Sequence, residues 1–237
     1  GHTMYKRVLL KISGEALSSE TAPLCEETID KTAEIIAELH RRGVEIGIVV
    51  GGGNILRGRN AAGVDRNRAD HMGMLATAIN SLALQDALIR KGVPCDTLSA
   101  VAMHRICDEY TARDAQRLLL EGHVLVFACG TGSPFFSTDT GAALRAAEIG
   151  ADVLLLAKNI DAVYSADPRL DPSAVRYQHL SYARVIADNL QATDLTAITL
   201  CRQQRIPIHV FRLSELPAVF DGKTTGTVID ERPGVES

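Results

Sequence analysis

The sequence predicts an α/β fold, a three-layer αβα sandwich around a mainly parallel sheet, and three observations predict it. Short apolar runs rich in Val, Leu and Ile alternate with helix-patterned stretches of about ten residues or more; three of those runs end in glycine turns; and the 237 residues are 46% hydrophobic but only 4% aromatic, so the core has to be built from Ala, Val, Leu and Ile. Parallel strands need crossovers of that length, and helices on both faces bury the strands completely.

Each element follows from its local pattern. Residues 5–12 (YKRVLLKI) stop at Ser13-Gly14, as a buried strand entering a turn does. Over 28–42, Ile29, Ala33, Ile36, Ala37 and Leu39 recur at helical spacing, and Arg41, Arg42 and Gly43 close the helix. A strand at 44–50 runs into Gly51-Gly52-Gly53, and a long helix over about 70–90 ends at Gly92-Val93-Pro94. A strand at 96–100, a helix at 111–120 and a strand at 123–129 lead to Gly130-Thr131-Gly132. Thr138 caps a helix reaching 149, and ADVLLLA at 151–157 is the most continuous buried-strand pattern. After an Asp- and Pro-rich loop at 161–172 come helices at 182–189 and 194–204 and strands at 206–211 and 227–230. One domain is expected over 4–231, with halves at about 4–150 and 151–231; Gly1-His2-Thr3 reads as a tag remnant and 232–237 as a flexible tail.

Charge and cysteine usage narrow the function classes. Twenty-five Lys and Arg against 29 Asp and Glu leave a net charge of -4, which gives no electrostatic footprint for nucleic acid or an anionic membrane, so any anion must be held locally. The run Arg57, Arg59, Arg66, Arg68 lacks interleaved aromatics and reads as a solvated, partly phosphate-facing loop. Cys25, Cys95, Cys107, Cys129 and Cys201 show no CxxC or metal-ligand spacing, which predicts reduced thiols in a cytoplasmic protein. No uninterrupted apolar run reaches the roughly 18 residues of a membrane span, and no secretion signal is seen. His40, His104, His123, His179 and His209 are expected on helix surfaces or strand ends in structural roles, while His71, beside Asp70, admits both a structural and a functional reading.

The three glycine turns locate the candidate site. In a parallel sheet, ligands sit beyond the carboxyl ends of the strands, where helix amides and close-approaching glycines receive phosphate. Lys11 and Arg57 lie beside two of the turns and can neutralise phosphate charge. Familiar phosphate motifs fail: the segment 53–58 is followed by Arg59-Asn60 rather than the P-loop Lys-Ser/Thr, Gly222-Lys223-Thr224 has Pro217 where the first glycine belongs, and Gly130-Thr131-Gly132 continues to Phe135 where a dinucleotide fingerprint needs glycine. There is no GxSxG elbow and no HExxH helix. Asp139 and Asp194 each follow a threonine at a helix start, where each reads either as a first-turn carboxylate favoured by the helix dipole or as a functional acid.

Six segments, taken in order, resemble the bacterial UMP kinases of the amino-acid kinase superfamily: KRVLLKISGEAL (6–17), GIVVGGGNILRG (47–58), ADHMGMLAT (69–77), GTGSPFFSTDT (130–140), VYSADP (163–168) and TDLTAITL (193–200). The resemblance implies the amino-acid kinase fold and phosphorylation of UMP to UDP by ATP with Mg2+, the metal held mainly by the ATP phosphates. It implies an ATP site of Lys11, Ile12, Ser13, Gly14, Gly53, Arg57, Lys158, Asn159, Tyr164 and Asp167, with Tyr164 lying against adenine. It implies a UMP site of Gly52, Asp70, Thr131, Gly132, Ser133, Pro134, Phe135, Phe136, Ser137 and Thr138, in which Asp70 accepts from the ribose. Lys11, Arg57, Asp139 and Asp194 would be catalytic, the two aspartates organising magnesium-bound ATP and holding Lys11. The acceptor phosphate is already anionic, so alignment and charge neutralisation suffice without a general base. A homohexamer and feedback inhibition by UTP are likewise implied. Activation by GTP is not carried over, because 18–27 lacks the family's glycine-rich segment and Gln85 replaces an arginine; Ala162 also stands where glycine is usual. The rival readings are a superfamily kinase with a carboxylate or carbamate acceptor, and a non-catalytic nucleotide-binding regulator or storage protein.

Overall fold

Strand β1 (Arg7–Ile12) shows why this Val- and Leu-rich chain builds two cores. In the computed structural model, which describes residues 5–56 and 63–231, successive β1 side chains leave opposite faces of the sheet. Val8, Leu10 and Ile12 enter one buried cluster and Leu9 enters the other. The strands that follow are β2 (Glu45–Val50), β3 (Cys95–Ser99), β4 (Asp108–Glu109), β5 (Val124–Ala128), β6 (Val153–Lys158), β7 (His179–Leu180), β8 (Ile208–Arg212) and β9 (Thr227–Ile229). They form one sheet in the order β4-β3-β5-β2-β1-β6-β8-β9-β7, with every described pair parallel except β8 and β9.

Helices α1 (Glu26–Arg41), α2 (Arg66–Arg90) and α7 (Leu216–Phe220) cover the face carrying Val8, Leu10 and Ile12. Helices α3 (Ala112–Leu120), α4 (Thr138–Ile149), α5 (Tyr182–Ala187) and α6 (Leu195–Gln204) cover the other. The predicted three-layer sandwich is therefore observed. Reading by periodicity missed β4, β7 and α7, because segments of two to five residues are too short to show a repeat. Helix α2 starts at Arg66, four residues before the predicted start near 70, since Asp65 caps it by accepting from the Arg68 amide at 3.3 Å.

By length and average hydropathy α2 could cross a membrane, yet half of its most apolar 18-residue window is buried inside the fold. Hydrophobic residues interrupted by Asn80, Ser81 and Gln85 make it a core helix with one outward stripe of Met72, Leu75, Ile79, Leu82 and Ile89. His179 opens β7 and His209 is the second residue of β8, in keeping with the strand-end expectation, and both are buried. All five cysteines are free, and burial pushes the Cys201 thiol up to about 12 and the Cys95 thiol higher still, so neither is a nucleophile. The expected tag remnant and tail (1–3 and 232–237) lie outside the described residues, as do Arg57 and Arg59.

Candidate active site at the carboxyl edge of the sheet

Strand parity places the two cations. Lys11 shares its face with Leu9, and Lys158 shares the same face with Leu154 and Leu156; β1 and β6 are parallel neighbours, so both ammonium groups emerge on the α4 side at the strand ends. Asp139, in the first turn of α4, meets them both: Lys11 Nζ lies 3.0 Å from Oδ1 and Lys158 Nζ donates to Oδ2 at 3.0 Å. Thr193 Oγ1 also donates to Oδ2 at 2.6 Å. Lys11 and Asp139 are each only 9% exposed. Burial by itself would raise the Asp139 pKa, but the charges of Lys11 and Lys158 and the Thr193 hydroxyl overcome it and hold the carboxyl well below the usual range. One carboxylate facing two ammonium groups leaves the Lys11–Asp139–Lys158 cluster with one excess positive charge.

Asp194 is held differently. It is the N-cap of α6, its Oδ1 accepting from the Ala197 amide at 2.8 Å and from Thr140 Oγ1 at 3.0 Å, while Ser137 Oγ donates to Oδ2. The two helix starts are thus cross-linked in both directions, Thr193 to Asp139 and Ser137 and Thr140 to Asp194. The structure joins Asp139 to Lys11; the partners described for Asp194 are helix-start groups instead.

The first two glycine turns meet at Gly14. A Cβ on Gly14 would sit 2.1 Å from Asn54 Oδ1 and 2.9 Å from the Gly51 carbonyl oxygen, so only glycine permits this approach. Asn54 and Asn80, both buried, bond through reciprocal side-chain amides at 2.8 and 3.0 Å, and Asn80 Nδ2 also donates to the Gly51 carbonyl at 2.7 Å. That pair fixes the second turn from below. Gly52 packs on Ala76 and Gly73 of α2, and the Glu15 carboxylate faces Gly53. Ser13 makes no side-chain capping bond at the short 3-10 turn it opens.

Together these turns wall a cleft of about 490 Å³ whose lining includes Lys11, Ser13, Gly52, Asp70, Thr131 and Phe136. Its far wall is the loop after β5, which includes two non-glycine residues in the left-handed region, Cys129 (φ 68) and Phe135 (φ 74). Such backbone persists only when surroundings over-determine it. Thr77 Oγ1 accepts from the Cys129 amide at 3.0 Å, and Asp70 Oδ2 accepts from the Phe135 amide at 2.7 Å. Asp70 is also paired with Arg66, whose guanidinium lies over the Phe135 ring.

The sequence-predicted residues fall into three groups. Lys11, Ser13, Gly14, Gly52, Gly53, Asp70, Thr131, Ser133, Phe136 and Thr138 line the cleft, and Asp139 sits behind Lys11. Ile12 is fully buried, and Gly132, Pro134, Phe135 and Ser137 complete the far loop. Lys158 joins the cluster through Asp139; beyond it Asn159 is exposed, Tyr164 donates to Asp161 at 2.9 Å, and Asp167 accepts from Arg169, so these three lie off the cleft on the β6 side. Arg57 lies outside the described residues. Motif reading missed Glu15, Thr77 and Asn80; a polar Asn80 in the apolar stretch of α2 was the available signal for the last.

With this geometry in view, the comparisons converge. The chain belongs to the amino acid kinase family, whose model matches residues 6–212. Among solved structures it is similar to the UMP kinase from Bacillus anthracis, at 34% identity and a TM-score of 0.94 over 98% of this chain and 99% of that one. It is also similar to the UMP kinase from Ureaplasma parvum (35%, 0.90, over 95% and 99%) and to the uridylate kinase from Archaeoglobus fulgidus (29%, 0.72, over 94% and 99%).

Proposed function

We propose that this protein transfers the terminal phosphoryl group of ATP to the phosphate of UMP, giving UDP and ADP, as a step of pyrimidine nucleotide biosynthesis. The observation that carries the reading is the cleft itself, with the buried Lys11 and close-packed glycines on one wall and Asp70 with the 131–138 loop on the other. Near full-length likeness to UMP kinases supports the choice of acceptor.

In this reading Lys11 neutralises charge on the phosphoryl group in transit, and Asp139 holds it in place, with Asp194 acting through the α4 start. Arg57 assists from the second turn. ATP would enter as its magnesium complex, in which the ion would neutralise phosphate charge; the oxygens of Asp139 and Asp194 serve lysine, hydroxyl and amide partners. Lys158, Asn159, Tyr164 and Asp167 hold the ATP nucleoside.

Assembly as a homohexamer is part of the proposal, supported by the exposed apolar stripe on α2. So are feedback inhibition by UTP and a cytoplasmic location, the latter in keeping with five free cysteines. Gln85 ties α2 to β3, donating to the Cys95 carbonyl at 3.0 Å and accepting from Thr97 at 2.8 Å; activation by GTP is not part of the proposal.

The test is ADP release with ATP and UMP, CMP, acetylglutamate, aspartate or carbamate as acceptor. UMP is expected to be strongly preferred; turnover of a carboxylate instead, or of none, would overturn the reading. Asp70→Asn should raise the KM for UMP several-fold and leave that for ATP unchanged, as titration of each substrate would reveal.

A further inference from the structure

Arg145 is a buried guanidinium, 5% exposed, on the second turn of α4, and the proposed mechanism gives it no task. Burying an arginine is costly unless every donor direction is used. Here the ring of Tyr110 carries its face, with Cζ 3.9 Å from the centroid; Nη1 pairs with Glu148; and Nη2 donates to the Gly130 carbonyl at 3.1 Å. Tyr110 is in turn braced edge-on by Phe127 of β5.

The carbonyl it grips belongs to the acceptor-side turn. Gly130 has φ +56, and Gly141 brings α4 so close that a Cβ there would lie 3.2 Å from Gly130 Cα, so the turn rests directly on the helix that carries Arg145. A trans peptide points its carbonyl and its N–H in opposite directions. Fixing the Gly130 oxygen on the guanidinium side therefore fixes the Thr131 N–H on the other. Thr131 lines the cleft, and its amide donates to no other described residue.

We propose that Arg145 is a positioning residue for the acceptor: by holding the Gly130 carbonyl it presets the Thr131 N–H as a donor to an oxygen of the acceptor nucleotide. This rests on the reading of the cleft as a UMP site. Lysine keeps the charge but cannot stack on Tyr110 while serving two acceptors in a fixed fork.

The experiment compares wild type, Arg145→Lys and Tyr110→Leu by UMP binding, KM for each substrate, and thermal melting. For Arg145→Lys, the UMP dissociation constant and KM should rise about tenfold, the size of one lost charge-assisted hydrogen bond, while the KM for ATP stays within about twofold. Tyr110→Leu should shift UMP alone, in the same direction and by less. Unchanged UMP binding in a folded Arg145→Lys, or equal losses for both substrates, would overturn the proposal. Should Arg145→Lys fail to fold, Tyr110→Leu decides by the same two outcomes. Wild-type enzyme that ignores UMP would sink the functional reading separately, and the comparison would then be run with the acceptor it does phosphorylate.

Discussion

Two helix starts, Thr138-Asp139 on α4 and Thr193-Asp194 on α6, look alike in sequence and differ by two residues in where the cap falls. On α4 the cap is Ser137, whose hydroxyl accepts from the Thr140 amide at 3.0 Å, so Asp139 falls inside the first turn and turns toward the sheet. On α6 the aspartate is itself the cap. One carboxylate is thereby committed to two lysines and the other to backbone and hydroxyls, and the hydroxyl beside each serves the opposite helix. The lesson is that a Thr-Asp pair does not fix a role; the position of the cap does.

Breaking the α4 side should hurt chemistry most. Lys11→Ala is expected to lower turnover about a thousandfold or more, the scale of losing a preorganised charge at the transferring group, with circular dichroism unchanged. A loss of tenfold or less would contradict the role given to Lys11.

Asp139→Asn should come next, at about a hundredfold, because both ammonium groups lose their counter-charge while keeping their places. It carries a pH signature. The Asp139 pKa is lowered on folding, so its stabilisation is present above the unfolded carboxyl value of about 3.9 and fades as pH falls below it. The asparagine variant should be less stable at neutral pH and show a shallower acid limb in melting temperature against pH. Parallel acid limbs would show that the ion pairs do not contribute.

On the α6 side the order of effects should invert. Asp194→Ala should cost stability first, about 1 to 2 kcal/mol for the lost cap by urea unfolding, with a smaller fall in turnover than Asp139→Asn. Activity lost as completely as in Lys11→Ala, with stability intact, would give Asp194 a direct catalytic part and erase the contrast. The smallest effect is expected for Thr193→Val, about 0.5 to 1.5 kcal/mol for one hydrogen bond, read as a modest shift in the unfolding midpoint.

Much of this site was legible before folding was considered. Alternation in RVLLKI puts Lys11 on the face of Leu9, and glycine turns mark the strand ends, because period-two geometry and the missing Cβ are local properties. The short strands β4 and β7 and the helix α7 were not legible, since segments of two to five residues are too short to show a repeat, and β7 forms only by pairing with the distant β9. The Asn54–Asn80 amide pair and the Arg145 clamp join residues 26 and 15 positions apart on different elements, which no spacing rule signals.

The sequence by itself determined the layer architecture, the order of the main strands and helices, and the residue types collected at the carboxyl edge, because periodicity, turn chemistry and charge act over a few neighbours. Only tertiary structure decided which carboxylate meets Lys11, which cap each helix uses, and which way the Gly130 peptide faces. Those outcomes depend on the packing of α4 against β1, β6 and α6, which brings together groups far apart in the chain.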